Sequence, residues 1–497
     1  MYVATSQQLK RYDQALLDEG YTIEELVDKA SDCLFKHFQT YQKIMIVCGP
    51  GNNGADGISL GIKLFQENKN VCLYLTGNPE KLSQANRYYL KIAQALKMNI
   101  VQLDDTLLEE FENNILDYEV IVDALFGFGL HSDLRGIVKQ VVDIINSAYD
   151  IDVIAIDIPT GLNPDTGKPY NSCICAYKTI TLTAMKLGFL NKDCSIYTGN
   201  ICLELLDAKD LHEDLLLAKM VEKKWVKYHL KERIFDGHKG TYGRVLHITG
   251  CNHYIGAALL AAKASVYTGS GIVSVCSTDR VVQSLSTFCP EATSVLRQRN
   301  ISDKDIANKN VILLGSGLGL NDDAYGIVLS TLKNIDKPIV IDGDALTILA
   351  RNKDLLENHQ APWILTPHHG EFKRFVDFEN TAQMIDKAIE FAKKYHVILV
   401  LKGPNTFITD GNEAYRNTTG NKTMSSAGMG DVLAGIITSL LGQGYSAKNA
   451  AILGVYLHGL CGDELAKTQY TAISHQVIDL IPRKMLDISK RQIISKK

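Results

Sequence analysis

Ile44-Met45-Ile46-Val47-Cys48-Gly49-Pro50-Gly51-Asn52-Asn53-Gly54-Ala55-Asp56-Gly57 reads as a strand, a glycine-rich turn and the start of a helical pattern. Glycines at such a turn let the backbone approach a ligand, and the helix start behind them favours an anion. A tight turn ending in an Asp helix cap needs the same residues, so the loop alone does not fix a function. It does bear on the fold. A short apolar run, a turn and a helical pattern make one βα unit, and the chain repeats it. Further apolar runs lie at 71–75, 120–123, 153–157 and 179–183, with amphipathic helical stretches at 85–96 and 136–147. Strands alternating with helices predict a largely parallel sheet covered on both faces, a three-layer α/β domain.

A second α/β pattern follows, with strands expected at 244–248, 272–275, 311–314, 338–342 and 397–402 and an Ala-rich helix at 257–267. Asp410-Gly411 between two short strand-like runs signals a hairpin across 406–417. The stretch 205–231 is charged, helical in pattern and without a clear strand, so it reads as a connector with the boundary near residue 220. At 497 residues, two domains are the prior, set here at 1–215 and 222–497. A formal net charge of -4 gives no reason for a nucleic-acid or membrane partner. No apolar run is long enough to span a bilayer, and the start lacks signal-peptide order, so a cytoplasmic location is expected. The eleven cysteines show no framework spacing and read as reduced, mostly buried thiols. The basic tail 484–497 reads as a solvated terminus, and the helical segment 5–20 as a surface able to pack against a second copy in a homo-oligomer.

Convergence gives the first loop its meaning. The third strand runs into Asp123-Ala124-Leu125-Phe126-Gly127-Phe128-Gly129-Leu130, and the fourth into Asp157-Ile158-Pro159-Thr160-Gly161-Leu162. In an open parallel sheet all three loops emerge at the carboxyl ends of the strands, where ligands bind. The set G-P-G-N-N-x-x-D-G, D-A-L-F-G and D-x-P-x-G-L resembles the NAD(P)H-hydrate epimerase domain over roughly residues 1–215, which implies a Rossmann-like fold. By that resemblance Asn52, Asn53, Gly54, Ala55 and Asp56, with Gly127, Phe128, Gly129, Leu130, His131, Ser132 and Asp133, would hold a hydrated dinucleotide, with Asp157 near the reacting ring. A potassium ion would sit on Asn53, Asp123 and Thr160, whose amide, carboxylate and hydroxyl oxygens suit a hard cation. Taken alone, Asp123 and Asp157 also read as strand-end caps. Epimerisation needs a proton moved near neutral pH, and Asp157 and Lys186 are the candidates. The bland reading of Lys186 is a solvated lysine after a strand. Ala55 replaces the family's usual glycine, adding a methyl where backbone meets ligand. Phe128 replaces a small polar residue on the phosphate side, and Thr160 a serine.

The second half carries Gly237-His238-Lys239-Gly240-Thr241-Tyr242-Gly243, Gly315-Ser316-Gly317-Leu318-Gly319, Asp342-Gly343-Asp344, Thr366-Pro367-His368-His369-Gly370-Glu371, Lys402-Gly403-Pro404-Asn405-Thr406 and Ser425-Ser426-Ala427-Gly428-Met429-Gly430-Asp431. Each alone is an ordinary turn; together they describe the rim of a nucleotide site. In this order they resemble the ribokinase-like ADP-dependent (S)-NAD(P)H-hydrate dehydratases over roughly 225–490. The resemblance implies that Ala257, Gly317, His368 and Asp431 contact the hydrate, while Lys402, Gly403, Pro404, Asn405, Thr406 and Gly430 hold the adenine nucleotide. His369 stands for a usual proline and would only loosen a turn; Gly343 and Met429 are the other departures. Backbone N–H groups at residues 428–430 would stabilise a transferring phosphoryl group, and Asp431 would take the proton of the attacking hydroxyl. Magnesium would neutralise the ADP phosphates, with Asp342 or Glu371 positioning it.

The reading is therefore a two-domain repair enzyme whose small-molecule substrates are hydrated NADH and NADPH together with ADP. Two rivals remain at this level. One is a ribokinase-like small-molecule kinase fused to a dinucleotide-binding module, which shares the Asp431 chemistry. The other is a first domain reduced to a non-catalytic scaffold, for which Ala55 and Phe128 are the features.

Overall fold

A computed structural model of the chain describes residues 1–206, 218–297, 303–357, 359–379 and 381–489. Its contacts separate into two compact units, Met1–Ala218 and Lys219–Lys497. The first is built on a 7-stranded sheet in the order Asn99–Gln102, Asn70–Leu75, Lys43–Cys48, Val120–Ala124, Asp152–Ile156, Lys178–Leu182, Asn200–Glu204, every neighbour parallel. Central strands such as Lys43–Cys48 are buried along nearly their whole length, as apolar runs in a sheet covered on both faces must be. One apolar layer gathers Ile46, Ile58 and Tyr89, and the other Met45, Val141 and Ile145.

Strand order reverses between Lys43–Cys48 and Val120–Ala124, and such a reversal opens a crevice at the carboxyl ends of the strands. Helix Asn52–Gln66 begins at this crevice with Gly51 as its N-cap and no side-chain cap. Asn86 fixes the turn before it, donating to the Gly49 carbonyl at 2.8 Å. A lid lies above. Strand Tyr2–Ala4 pairs in parallel with Met185–Lys186, and helix Ser6–Asp18 follows behind a Thr5–Gln8 capping box. Asp165 pins the start of that helix, accepting from the Ser6 amide at 2.7 Å and the Ser6 hydroxyl at 2.6 Å. Leu9, Tyr12 and Leu16 are buried against Ala184 and Phe128. The apolar face of this helix is thus spent inside its own unit.

The second unit carries Thr293–Leu296, Ile272–Ser277, Arg244–Ile248, Val311–Leu314, Ile339–Ile341, Trp363–Leu365 and Ile398–Leu401 in parallel. Phe407–Thr409 and Ala414–Arg416 then add an antiparallel hairpin turning at Asp410-Gly411. Strand order reverses here too, between Arg244–Ile248 and Val311–Leu314. The stretch 205–231 does contain a strand, Ala218–Met220, whose Lys219 and Met220 pair with Tyr415 and Arg416. Three residues are too few to leave an apolar run in the sequence. Residues 207–217 of that connector and 490–497 of the basic tail lie outside the described residues.

Helix Met429–Gly442, which carries Asp431, packs on the Ala-rich helix Ile255–Thr268. Small residues make the approach possible: a Cβ on Gly435 would lie 2.3 Å from the Ala261 carbonyl oxygen, and Ser265 Oγ donates to the Gly435 carbonyl at 2.7 Å. Gly435→Val is expected to destabilise this unit by about 1–3 kcal/mol, the usual cost of overpacking. A urea midpoint equal to that of the parent would show that the two helices separate freely.

Candidate active sites

A cavity of about 510 Å³ opens at the crevice of the first unit. Asn52, Asn53 and Asp56 line it from helix Asn52–Gln66, Gly127 to Leu130 from the third-strand loop, and Asp157 and Lys186 from the next strand ends. Leu9, Lys10 and Asp13 come down from helix Ser6–Asp18. Lys186 is 1% exposed, so it is a buried ammonium and its solvated reading fails. Its Nζ is bound to Asp157 Oδ1 and to the carbonyls of Leu182 at 3.0 Å and Ala184 at 3.4 Å. The Phe128 amide reaches Asp157 Oδ2 at 3.4 Å. Asp157 and Thr183 hold φ of 68° each, a left-handed backbone that residues with a side chain rarely adopt. Strain of this kind collects where surrounding structure imposes it, typically at functional sites.

Electrostatics marks two further carboxyls. Burial, with the charge of Asp157 adding and that of Lys186 opposing, raises Asp13 to about 7. Burial first, then Asp157 and Asp13, holds Asp56 well above the carboxylate range. Asp123 is fully buried, and burial raises it to about 6 although it accepts from the Thr160 amide at 2.8 Å, the Thr160 hydroxyl at 2.7 Å and the Leu125 amide at 3.2 Å. The same hydroxyl accepts from the Phe126 amide at 3.0 Å. One residue on, a Cβ at Gly127 would sit 3.3 Å from Asp157 Oδ2 and 3.4 Å from Asn53 Oδ1, so the backbone there runs close to both groups. Asn53 is buried, and its Nδ2 has no partner among the described residues.

Not every expected contact reaches the cavity. Gly54 is a close-packing position, where a Cβ would strike the Gly49 carbonyl at 1.9 Å. Ala55 is wholly buried in the apolar layer with Ile46 and Ile58, so its methyl does not intrude on a ligand. His131, Ser132 and Asp133 do not line the cavity; His131 Nε2 instead meets Lys10 Nζ at 2.7 Å. Phe128 lines the cavity, faces helix Ser6–Asp18 and has its ring centre 5.8 Å from Lys186 Nζ.

In the second unit, Lys402 Nζ donates to Asp342 Oδ1 at 2.8 Å and lies 3.9 Å from Glu371 Oε2. It also lies 3.3 Å from where a Gly430 Cβ would be, which joins the two ends of the expected nucleotide contacts. Asp342 is fixed further by the hydroxyls of Thr366 at 2.7 Å and Ser316 at 3.0 Å. Asp431 stands in the first turn of Met429–Gly442, behind Gly428 at φ 83°. Burial, with the charge of Asp342 adding and that of Lys402 opposing, raises it to about 7. His368 pairs its backbone with Lys402 and caps a short helix, Nδ1 accepting from the Gly370 and Glu371 amides, so Nε2 is the nitrogen left to meet a ligand. Ala257 and Gly317 adjoin: a Cβ on Gly317 would sit 2.6 Å from that of Ala257.

The loop 402–406 closes on itself through the Thr406 hydroxyl, 3.1 Å from the Gly403 carbonyl. Buried Arg416 holds it from outside, donating to the Asn405 carbonyl at 2.6 Å. His369 does more than loosen a turn, since its Nε2 lies 3.0 Å from where a Gly403 Cβ would be; burial, then Arg416, lowers its pKa. Both oxygens of Asp342 are taken by donors, and Glu371 accepts from the His368 amide at 2.8 Å. Asp344 keeps one oxygen without a partner among the described residues, the other accepting from the Gly319 amide at 2.7 Å.

Asp13 and Arg416 were not signalled by any motif. Asp13 left one trace: it stands four residues after Leu9 and three before Leu16, a carboxylate inside an apolar helical stripe.

Two family descriptions match the chain, "NAD(P)H-hydrate dehydratase" over residues 245–483 and "YjeF-related protein N-terminus" over 22–188. A bifunctional NAD(P)H-hydrate repair enzyme of Moorella thermoacetica is 32% identical over 97% of this chain and 96% of its own length. One from Thermofilum pendens is 33% identical over 85% of this chain and 83% of its own. A crystal structure of a ribokinase-like superfamily protein from Enterococcus faecalis aligns with TM-score 0.51 and 28% identity, covering 55% of this chain and 97% of that one.

The buried pair in the first unit generates a stability prediction. Removing one partner of such a pair costs about 3–5 kcal/mol, because the other charge is left uncompensated. Lys186→Met is expected to cost that much in urea unfolding, and the double change Lys186→Met with Asp157→Asn to recover most of it. A double variant no more stable than the single one would mean that Asp157 and Lys186 are not energetically coupled.

Proposed function

Because the chain belongs to the family of bifunctional NAD(P)H-hydrate repair enzymes, we infer that it epimerises the R and S forms of hydrated NADH and NADPH and dehydrates the S form with ADP, yielding the reduced dinucleotide, AMP and phosphate. Epimerisation is assigned to residues 1–215 and dehydration to 222–497. One observation carries the reading: two separate rims in one chain each hold a lysine–carboxylate ion pair, Lys186 with Asp157 and Lys402 with Asp342, beside a further carboxyl raised by burial. A kinase fused to a binding module has no use for the first of these.

In the first site, making and breaking a bond at the hydrated carbon moves a proton on and off the substrate. Asp157, bound to Lys186, and Asp13, raised to about 7, are the groups for that transfer. Asn52, Asn53, Asp56 and Gly127 to Leu130 line the pocket that holds the ring. Asn53, Asp123 and Thr160 form an all-oxygen donor set that suits potassium, which would add a fixed positive charge beside the dinucleotide. In the second site, Asp431 accepts the proton of the ring hydroxyl as that oxygen takes the terminal phosphoryl group of ADP. N–H groups at the start of helix Met429–Gly442, with Lys402 above Gly430, face the transferring group. Phosphate then departs from the hydrated carbon, the neighbouring ring carbon gives up a proton to solvent, and the double bond of the dihydronicotinamide returns. Asp344, which keeps one oxygen open and whose charge reaches Asp431, is the carboxylate that would help hold magnesium, which would neutralise the phosphates of ADP. A cytoplasmic location belongs to the same reading. All eleven cysteines are unpaired, as a reducing compartment keeps them, and no helix of the described residues is long and apolar enough to cross a membrane.

A mixture of R and S hydrates with magnesium, potassium and ADP is expected to convert completely, followed by the absorbance of the reduced nicotinamide. Conversion that stops at the S fraction would mean an inactive first site, and no conversion with ADP or ATP would sink the assignment. Exchanging potassium for sodium is expected to slow only the epimerisation-limited phase.

Asp431→Asn is expected to lower the dehydration rate by at least about 100-fold, the scale of a lost general base, with epimerisation intact. Asp431 acts as the carboxylate, so in the parent kcat/KM for dehydration rises with pH and levels off above about 7. A rate that falls as pH rises through 7 would argue against Asp431 as the base.

A further inference from the structure

A second cavity, about 630 Å³, lies in the C-terminal unit where its strand order reverses. Residues 251–254, following strand Arg244–Ile248, form one side, and 318–321, following Val311–Leu314, the other. Thr278 and Arg297, each just beyond a strand's carboxyl end, complete it. In open parallel sheets this is where ligands bind. None of the hydrate or nucleotide contacts discussed above lines this cavity, yet it shares a wall with two of them. Tyr254 lines it, and a Cβ on Gly317 would sit 2.9 Å from the Tyr254 Cβ, on the same side as Ala257.

Arg297 gives the cavity its chemistry. Its Nη1 donates to the Gly250 carbonyl at 2.9 Å, which holds the guanidinium in place, and its other guanidinium N–H groups have no partner among the described residues. Asp323 is on the same wall, but among the described residues Arg297 makes no ion pair. A half-buried cation facing a cavity of this size calls for an anionic partner. ADP is not that partner. To deliver its terminal phosphoryl group at Asp431, its phosphates must run toward Lys402 and Gly430. The hydrated dinucleotide has a second, phosphate-bearing half that must continue past Gly317 and Ala257.

On the dehydratase reading of this unit, we infer that this cavity takes the far half of the hydrated dinucleotide and that Arg297 meets one of its phosphate groups. Two phosphates qualify: the bridging pyrophosphate, present in both substrates, and the 2′-phosphate, present only in hydrated NADPH.

The test is steady-state dehydration of (S)-NADH hydrate and (S)-NADPH hydrate at saturating ADP by the full chain, Arg297→Gln and Arg297→Lys. Arg297→Gln is expected to raise KM for hydrate about tenfold or more, the scale of a lost charge-assisted contact, with kcat and the KM for ADP little changed. Arg297→Lys is expected to fall between parent and Gln variant. A rise confined to NADPH hydrate assigns the contact to the 2′-phosphate; a rise for both assigns it to the pyrophosphate. Unchanged KM for both hydrates would overturn the inference, as would a parallel rise in the KM for ADP, which a merely structural role predicts. Absence of dehydration in the parent would refute the dehydratase reading instead.

Discussion

An ammonium buried as deeply as that of Lys186 is tolerable only with a negative charge beside it and acceptors for its remaining protons. Asp157 and the carbonyls of Leu182 and Ala184 provide them. Much of the first unit follows from this. Asp157 leaves its strand through a left-handed turn, and Thr183 does so at the next strand end. Each such residue costs about 1–3 kcal/mol, which the surrounding bonds must offset. With Lys186 turned inward, Met185–Lys186 presents an edge to strand Tyr2–Ala4, and helix Ser6–Asp18 is delivered over the crevice. The lid and the ion pair thus share one strand end, and the helix behind that strand brings Asp13 to the cavity.

How much of this the sequence discloses depends on burial. Every strand read from an apolar run is interior to its sheet: 44–48, 120–123, 153–157, 244–248 and 311–314 all lie within a residue or two of the observed bounds. Asn99–Gln102, Asn200–Glu204 and Thr293–Leu296 gave no such run, and each is an edge strand of its parallel array. Edge strands are covered on fewer sides and keep polar residues along their length, so they are continuous in hydrogen bonding and discontinuous in hydrophobicity. Apolar patterning reports burial, and it loses strands where burial stops.

The sites divide in a similar way. Residues on strand-end loops were legible because a parallel sheet gathers such loops onto one rim, whatever their distance in the chain. Asp123, Asp157, Asp342 and Lys402 are of this kind, while Asp431, in the first turn of a helix, was legible from the glycine-rich stretch before it. What stayed hidden arrives from elsewhere: Asp13 from a helix laid across the rim, and Arg416 from the far strand of a hairpin that folds back on residues 402–406. Ala55 and His369 show the converse. Both looked like departures with a readable effect, and the direction of one side chain reversed each reading. The methyl of Ala55 points into the core, and the ring of His369 reaches Gly403.

The two sites reach one electrostatic arrangement from unrelated sheets. In the first, Lys186 is committed to Asp157; in the second, Lys402 is committed to Asp342. A lysine held this way has little attraction left for another acid, while the carboxylate it holds still repels a second negative charge nearby. Asp13 and Asp431 are those second acids. Burial raises both, the tied carboxylate raises both further, and the lysine lowers them only in part, which leaves each near 7. Without the lysine, two carboxylates in one dry site would share a proton and neither would be free to exchange it at neutral pH. Without the tied carboxylate, the lysine would pair with the second acid and hold it ionised well below neutrality. A proton that must move at pH 7 thus requires three groups rather than one, and the pairing of the first two sets the acidity of the third.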